Sequence, residues 1–177
     1  MSRVLVIGSE AQVSREIGEA LSAADFPMEY SAGDADTLQR LRVQSFGVVI
    51  TNPDSSVEED LALLEEMRAI RPGVKCIVLA HHSTPDEVIA ALRARVFACI
   101  TPPFDPVEVA NLARHAASES QWRDDIQVLS ARPGWVSVRV NCRLLTAERL
   151  ITFAKELSTQ LPEDTRQESC RRFERFC

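Results

Sequence analysis

The sequence predicts an α/β fold built on a parallel sheet, and two observations carry that prediction. Four short apolar runs, at residues 4–7 (VLVI), 48–50 (VVI), 76–79 (CIVL) and 97–100 (FACI), have the near-continuous apolar character of strands covered on both faces. Between them lie segments with helical periodicity joined by short connections, which implies helices on both sides of the sheet. In such sheets the carboxyl ends of the strands form the ligand crevice. Here those ends read Gly8-Ser9, Thr51-Asn52, Ala80-His81 and Thr101-Pro102, a set with little reactive chemistry.

Each element has its own local justification. The first strand is expected at residues 3–7, followed by a helix over about 9–24 with Val13, Ile17, Ala20 and Leu21 on one stripe. A short strand near 28–31 leads to Asp34, read as the cap of a helix carrying Leu38, Leu41 and Val43. The third strand is expected at 47–51. Ser56-Val57-Glu58-Glu59 then has capping-box spacing ahead of Leu61, Leu64 and Met67, and Arg71-Pro72-Gly73 stops that helix before a fourth strand at 75–79. Thr84-Pro85-Asp86-Glu87 and Asp105-Pro106-Val107-Glu108 each place a cap, then proline at the first helical position, then glutamate two residues later. The fifth strand, 97–100, lies between them. Residues 118–133 are polar and then proline-bearing, and read as a helical extension and linker. Beyond them Trp135-Val136-Ser137-Val138-Arg139-Val140 alternates as a half-exposed strand does, and Leu150, Phe153, Ala154, Leu157 and Leu161 form one helical face. That strand and helix are too short to stand alone in water and need a partner surface: their own first domain, a second copy, or the rest of a larger domain.

Composition bounds the function. The chain has 177 residues, a formal net charge of −6 and 45% hydrophobic residues, which fits a globular protein and disfavours nonspecific binding to DNA phosphates or anionic lipid. No apolar run approaches the roughly 20 residues that cross a bilayer, and the opening MSRVLVIG lacks the order of a signal peptide. The five cysteines, Cys76, Cys99, Cys142, Cys170 and Cys177, are odd in number and form no C-x-x-C pair. A reduced, cytoplasmic protein is expected.

Residues 1 to about 120 resemble the receiver domain of bacterial two-component response regulators. Arg3-Val4-Leu5-Val6-Ile7 resembles that family's first strand, Phe46-Gly47-Val48-Val49-Ile50-Thr51 its third, and Thr101-Pro102-Pro103-Phe104-Asp105-Pro106 its loop around a lysine–proline pair. The resemblance implies a flavodoxin-like five-stranded parallel sheet in the order 2-1-3-4-5 with helices on both faces, here with a C-terminal strand-helix extension. It also implies a cis peptide bond between Pro102 and Pro103. The domains expected are 1–122, receiver-like; 123–134, linker; and 135–177, a partial histidine-kinase-like ATPase segment or an amphipathic tail.

The family's chemistry is aspartyl phosphorylation, and the parts it requires are replaced here. Gly8 and Ser9 stand where two acidic residues hold magnesium, with only Glu10 just beyond. Asn52 stands at the phospho-acceptor, Ala80 at the switch hydroxyl, Cys99 at the switch aromatic and Pro102 at the phosphate-pairing lysine. An amide is a poor nucleophile and cannot form an acyl phosphate. Magnesium prefers hard oxygen ligands, usually carboxylates, which a glycine–serine pair does not supply. Proline offers no cationic donor to phosphoryl oxygens. The expectation is a degenerate pseudo-receiver with no catalytic residue, no cofactor and no metal. Asp54 would be an alternative acceptor only if the loop shifted by two residues, and it reads as a solvated turn residue. His81-His82 lacks a third ligand and reads as a polar loop.

A second resemblance covers residues 135–161, which look like the opening strand and first helix of histidine-kinase-like ATPase domains, particularly the anti-sigma-factor serine kinases. The asparagine helix and glycine-rich loops of that family are absent from this sequence, so nucleotide binding is not expected.

Three functions follow in order of preference. The first is a signalling module that works through protein contacts without phosphorylation. Its expected surface is the fourth helix, fifth strand and fifth helix, with Glu87, Arg93, Arg95, Glu108 and Arg114 supplying charge. Its expected partners are a signalling protein or a second copy of the chain, with neither nucleic acid nor membrane. The second is a conventional phosphorelay response regulator, and the third a truncated receiver-bearing serine kinase.

Overall fold

The computed structural model describes residues 3–8, 12–118, 126–132, 135–140 and 144–158. Five parallel strands, β1 (Arg3–Ile7), β2 (Met28–Ser31), β3 (Phe46–Ile50), β4 (Lys75–Leu79) and β5 (Ala98–Ile100), make one sheet in the order β2-β1-β3-β4-β5. Helices α1 (Gln12–Ala23), α2 (Asp34–Val43), α3 (Val57–Ile70), α4 (Pro85–Arg93) and α5 (Pro106–Ser118) connect or follow them.

The continuous apolar strands are explained by two cores. Val4, Val6, Val48, Ile50, Ile77 and Leu79 face one side, in a cluster with Ile17 and Leu21 of α1 and Val109 and Ala113 of α5. Leu5, Ile7, Val49, Cys76 and Val78 alternate to the other side, with Leu41, Leu64, Met67 and Leu92 from α2, α3 and α4. A strand whose successive residues must enter two different cores is apolar nearly throughout; the buried Lys75 that begins β4 donates to Ala116 O.

The caps act largely as the sequence indicates. Ser56 and Glu59 form a reciprocal capping box, as do Thr84 and Glu87, and Pro85 begins α4. Asp105 Oδ1 accepts the backbone N–H of Val107 at 2.9 Å. Asp34 is different: it is the first residue of α2, the preceding Gly33 gives no side-chain cap, and Asp36 reaches back to accept from Ala32 N–H at 3.0 Å. A carboxylate inside the first turn thus does part of the work expected of a cap. Phe97 precedes β5, although its N–H donates to Cys76 O at 2.7 Å and prolongs the ladder by one bond.

The stretch 123–134 is not wholly a linker. Residues Ile126–Arg132 form β6, paired antiparallel with β7 (Trp135–Val140), with an irregular register between Val128 and Ser130. The sequence Ile-Gln-Val-Leu-Ser-Ala-Arg alternates only over its first three residues, which hides the strand; its partner and α4 supply what the pattern lacks. Helix α6 (Leu144–Ser158) follows.

The extension packs on its own first domain. Ile126 and Phe153 are 2% and 1% exposed and join the core cluster holding Val88, Ala91, Leu92 and Cys99. The face of α6 that is buried is not the apolar stripe read from the sequence. Among its residues whose burial is described, Thr146, Arg149, Phe153 and Glu156 are buried, while Leu150 and Leu157 are only partly buried. The two stripes share Phe153 but differ by a small rotation about the helix axis, because hydrogen bonds to Val96, Phe97 and Thr101 on either side of β5, as well as apolar area, fix the helix orientation. Leu161 lies outside the described residues.

Candidate functional site

The strand ends meet along one edge. Gly8 N–H donates to Ser31 O at 3.0 Å, Thr51 N–H to Ile77 O at 3.0 Å, and Ala80 N–H to Ile100 O at 3.1 Å. These bonds set Gly8, Asn52, Ala80 and Thr101 side by side at the mouth of the sheet.

At that mouth Asn52 sits over Gly8. A Cβ added at Gly8 would lie 2.9 Å from Asn52 Cγ and 3.1 Å from its Oδ1, and Gly8 has φ +82°, which L side chains rarely adopt. The Asn52 amide therefore occupies the space that a side chain at position 8 would need. Its Oδ1 accepts from Asp54 N–H at 3.2 Å, an Asx turn that fixes the β3–α3 loop. Ala80 is 1% exposed and carries no hydroxyl, and Pro102 and Pro103 are exposed and joined by a cis peptide bond. Cys99 is buried beneath α4 and α6, and burial pushes its thiol up to about 12, so it stays a neutral, packed thiol. Ser9 and Glu10 lie outside the described residues. Asp54 Oδ1 is 3.2 Å from His81 Nε2, and the His81 ring meets Phe104 edge-on at 5.8 Å. Among the described residues no three His, Cys, Asp or Glu side chains cluster so as to hold a metal ion.

Just below the mouth lies a buried acid that sequence reasoning missed. Asp60, 3% exposed, accepts from Thr51 Oγ1 at 2.6 Å, and Thr51 Oγ1 accepts in turn from Leu79 N–H at 3.1 Å. Ser55 Oγ is 2.7 Å from Asp60 Oδ1 and 2.6 Å from Asn52 O. One hydroxyl proton cannot serve both acceptors, and a proton on Asp60 completes the chain from Asp60 through Ser55 to Asn52 O. Desolvation raises the Asp60 carboxyl to about 6, against the lowering effect of the Ser55 and Thr51 hydroxyls. The signal was in the spacing: Asp60 falls on the same helical face as Val57, Leu64 and Met67.

The second part of the site is the face of α4, β5 and α5, and α6 lies on it. Arg149, 2% exposed, donates from Nε to Phe97 O at 2.8 Å and from Nη2 to Val96 O at 2.9 Å. Two turns along, Glu156 accepts from the Thr101 N–H at 3.1 Å and the Thr101 hydroxyl at 2.5 Å. Lys155 stands 3.8 Å from Glu108 and His115 Nδ1 3.4 Å from Glu148, bridging the edges of a groove of about 500 Å³ between α5 and α6.

The charged residues expected on this face are thus differently employed. Glu87 is engaged in the α4 capping box and Glu108 faces α6. Arg114 donates to Asn111 Oδ1 at 3.0 Å. Arg93 and Arg95 are exposed at the end of α4, where Arg95 has φ +60° and its carbonyl accepts from Arg68 at 2.8 Å.

No protein-family model matches the chain. The transcriptional regulatory protein GlrR of Escherichia coli K12 is 21% identical over 131 residues, which cover 71% of this chain and 30% of that protein. The DNA-binding transcriptional regulator NtrC of the same organism is 24% identical over 118 residues, covering 67% of this chain and 25% of its own length. This chain therefore spans under a third of each of these two curated relatives. Among solved structures, a response regulator from Thermotoga maritima superposes with a TM-score of 0.59 at 19% identity, over 67% of this chain and all of that one. A CheY-like receiver domain from Methanospirillum hungatei JF-1 gives 0.57 at 19% identity, over 65% and 92%. The beryllofluoride-activated NtrC receiver domain gives 0.54 at 22% identity, over 68% and 98%. Sheet order, connections and these superpositions agree: about two-thirds of the chain has the receiver fold of response regulators, followed by a strand pair and a helix.

Proposed function

We propose that this chain is a bacterial, cytoplasmic signal-transduction module, a pseudo-receiver that works through protein contacts without aspartyl phosphorylation and is not an enzyme. The observation that carries the reading is the Asn52 amide lying over Gly8. The acceptor position holds an amide, and the neighbouring position offers neither a carboxylate nor room for one. Ala80 and Pro102 add no hydroxyl and no cation, so a phosphoryl group would find no nucleophile and no counter-charge there.

Partner contacts fall on the face of α4, β5 and α5 as completed by α6, with Glu87, Arg93, Arg95, Glu108 and Arg114 as its charged rim. The docking of Phe153, Arg149 and Glu156 on the receiver supports reading the extension as part of this module, in preference to the opening of an ATPase domain. The test is capture of cellular proteins on the full chain with and without acetyl phosphate and magnesium. Equal capture in the two conditions is expected. A partner retained only in the presence of acetyl phosphate would favour the conventional phosphorelay.

A further inference from the structure

We propose that the β5 edge is a helix-docking site coded by charge, filled in cis by α6, from which a partner helix of the same code displaces α6. The inference rests on reading the α4–β5–α5 face as the partner surface.

The code follows from the polarity of the strand. Just before β5 the carbonyls of Val96 and Phe97 call for a cation; just after it Thr101 offers an N–H and a hydroxyl, which call for an anion. A helix running in the direction of β5 meets both with the cation about seven residues before the carboxylate, because seven residues rise roughly 10 Å and the extended backbone from residue 97 to 101 spans roughly 13 Å. Arg149 and Glu156 have that spacing, and Phe153 sits between them in the apolar core. A helix running the other way would set its carboxylate against carbonyl oxygens, so the code selects direction as well as register.

The contact has the composition of one that opens. Among the α6 residues whose burial is described, Thr146, Arg149, Phe153 and Glu156 are buried and three of these are polar, with Leu150 and Leu157 partly buried beside them; permanent interfaces resemble an apolar core, and intrachain contacts between movable parts are more polar. The occupant in trans is therefore a helix of a separate protein that presents arginine, an aromatic residue four positions on and a carboxylate three beyond that. Tethering gives α6 an effective concentration of the order of millimolar, so such a partner must bind more tightly than α6 does alone.

The experiment uses the full chain, the full chain carrying Arg149→Ala with Glu156→Gln, and a fluorescent peptide of residues 144–158 as probe. The peptide is expected to bind the double variant at least tenfold more tightly than the wild type, and a peptide with the same two replacements to bind neither. Equal binding to both proteins, or none to a double variant that still unfolds cooperatively, would overturn the proposal. Should the double variant fail to fold, Glu156→Gln alone decides by hydrogen exchange. Exchange at the Thr101 amide and along α6 at least tenfold faster, with core amides unchanged, supports the proposal, and unchanged exchange overturns it. A wild-type dimer in light scattering with α6 exchanged between copies would also overturn it, by naming a second copy as the occupant. None of these readouts involves phosphate, so their failure leaves the phosphorylation-independent reading standing.

Discussion

Arg149 meets Phe97 twice: its Nε donates to the Phe97 carbonyl at 2.8 Å, and its guanidinium carbon lies 5.1 Å from the centroid of the Phe97 ring. A planar, delocalised guanidinium makes the in-plane bond and the ring contact together in one rigid geometry. This one residue ties α6 to the strand at the edge of the sheet, and it does so from a buried position.

Arg149→Ala leaves two carbonyls that face α6 without their donor. The expected loss is about 3 kcal/mol, the scale of charge-assisted hydrogen bonds broken in a buried place. Arg149→Lys is expected to recover less than half of that, since one flexible ammonium does not reproduce the rigid, planar pairing of Nε with Phe97 O and Nη2 with Val96 O. Urea unfolding monitored by circular dichroism measures both.

Asp60 makes stability depend on pH in the direction opposite to most carboxylates. Its folded value of about 6 lies above the roughly 3.9 of a free aspartate, so the folded state holds the proton longer. The contribution is full below about pH 4, declines as pH rises because the unfolded chain releases its proton first, and is lost above about pH 6. Two units correspond to roughly 3 kcal/mol. Asp60→Asn, whose amide can accept from Thr51 and donate to Ser55, is expected to remove this slope and to raise stability at pH 7 by about 1–2 kcal/mol. Thermal melts at pH 5 and pH 7 check it; an unchanged pH slope would rule it out.

Gly8→Ala introduces a Cβ 2.9 Å from Asn52 Cγ at a backbone φ of +82°. A loss of about 2 kcal/mol is expected from strain and crowding together. Asn52→Ala in the same chain should return only part of it, because removing the amide relieves the crowding and not the backbone. A double-mutant cycle separates the two.

Much of the fold was legible because it depends on pattern. Runs of apolar residues at 4–7, 48–50 and 76–79 have to serve two cores, and capping residues such as Ser56 and Thr84 act within one turn of chain. The placement of Gly8, Asn52 and Ala80 at the strand ends was legible too, since the strand pattern defines those positions. What the sequence did not disclose depends on contacts between distant residues. Thr101 and Glu156 are 55 positions apart, and a glutamate next to a lysine in a C-terminal helix looks like an ordinary solvated residue until the strand end appears beside it. Residues 126–132 likewise became a strand only through their pairing with 135–140.

Asp54 is held in an exposed pair with His81, whose side chains are 65% and 49% exposed. Such pairs contribute little, so Asp54→Asn is expected to change stability by no more than about 0.5 kcal/mol. Its mass after incubation with acetyl phosphate and magnesium is expected to stay unchanged, like that of the wild type, under the proposal that no residue of this loop accepts a phosphoryl group.

The claim that phosphoryl chemistry has been given up is tested most directly by intact-mass analysis of the wild-type chain after incubation with acetyl phosphate and magnesium. The account predicts an unchanged mass. A gain of one phosphate, localised to the loop between residues 51 and 56, would contradict it.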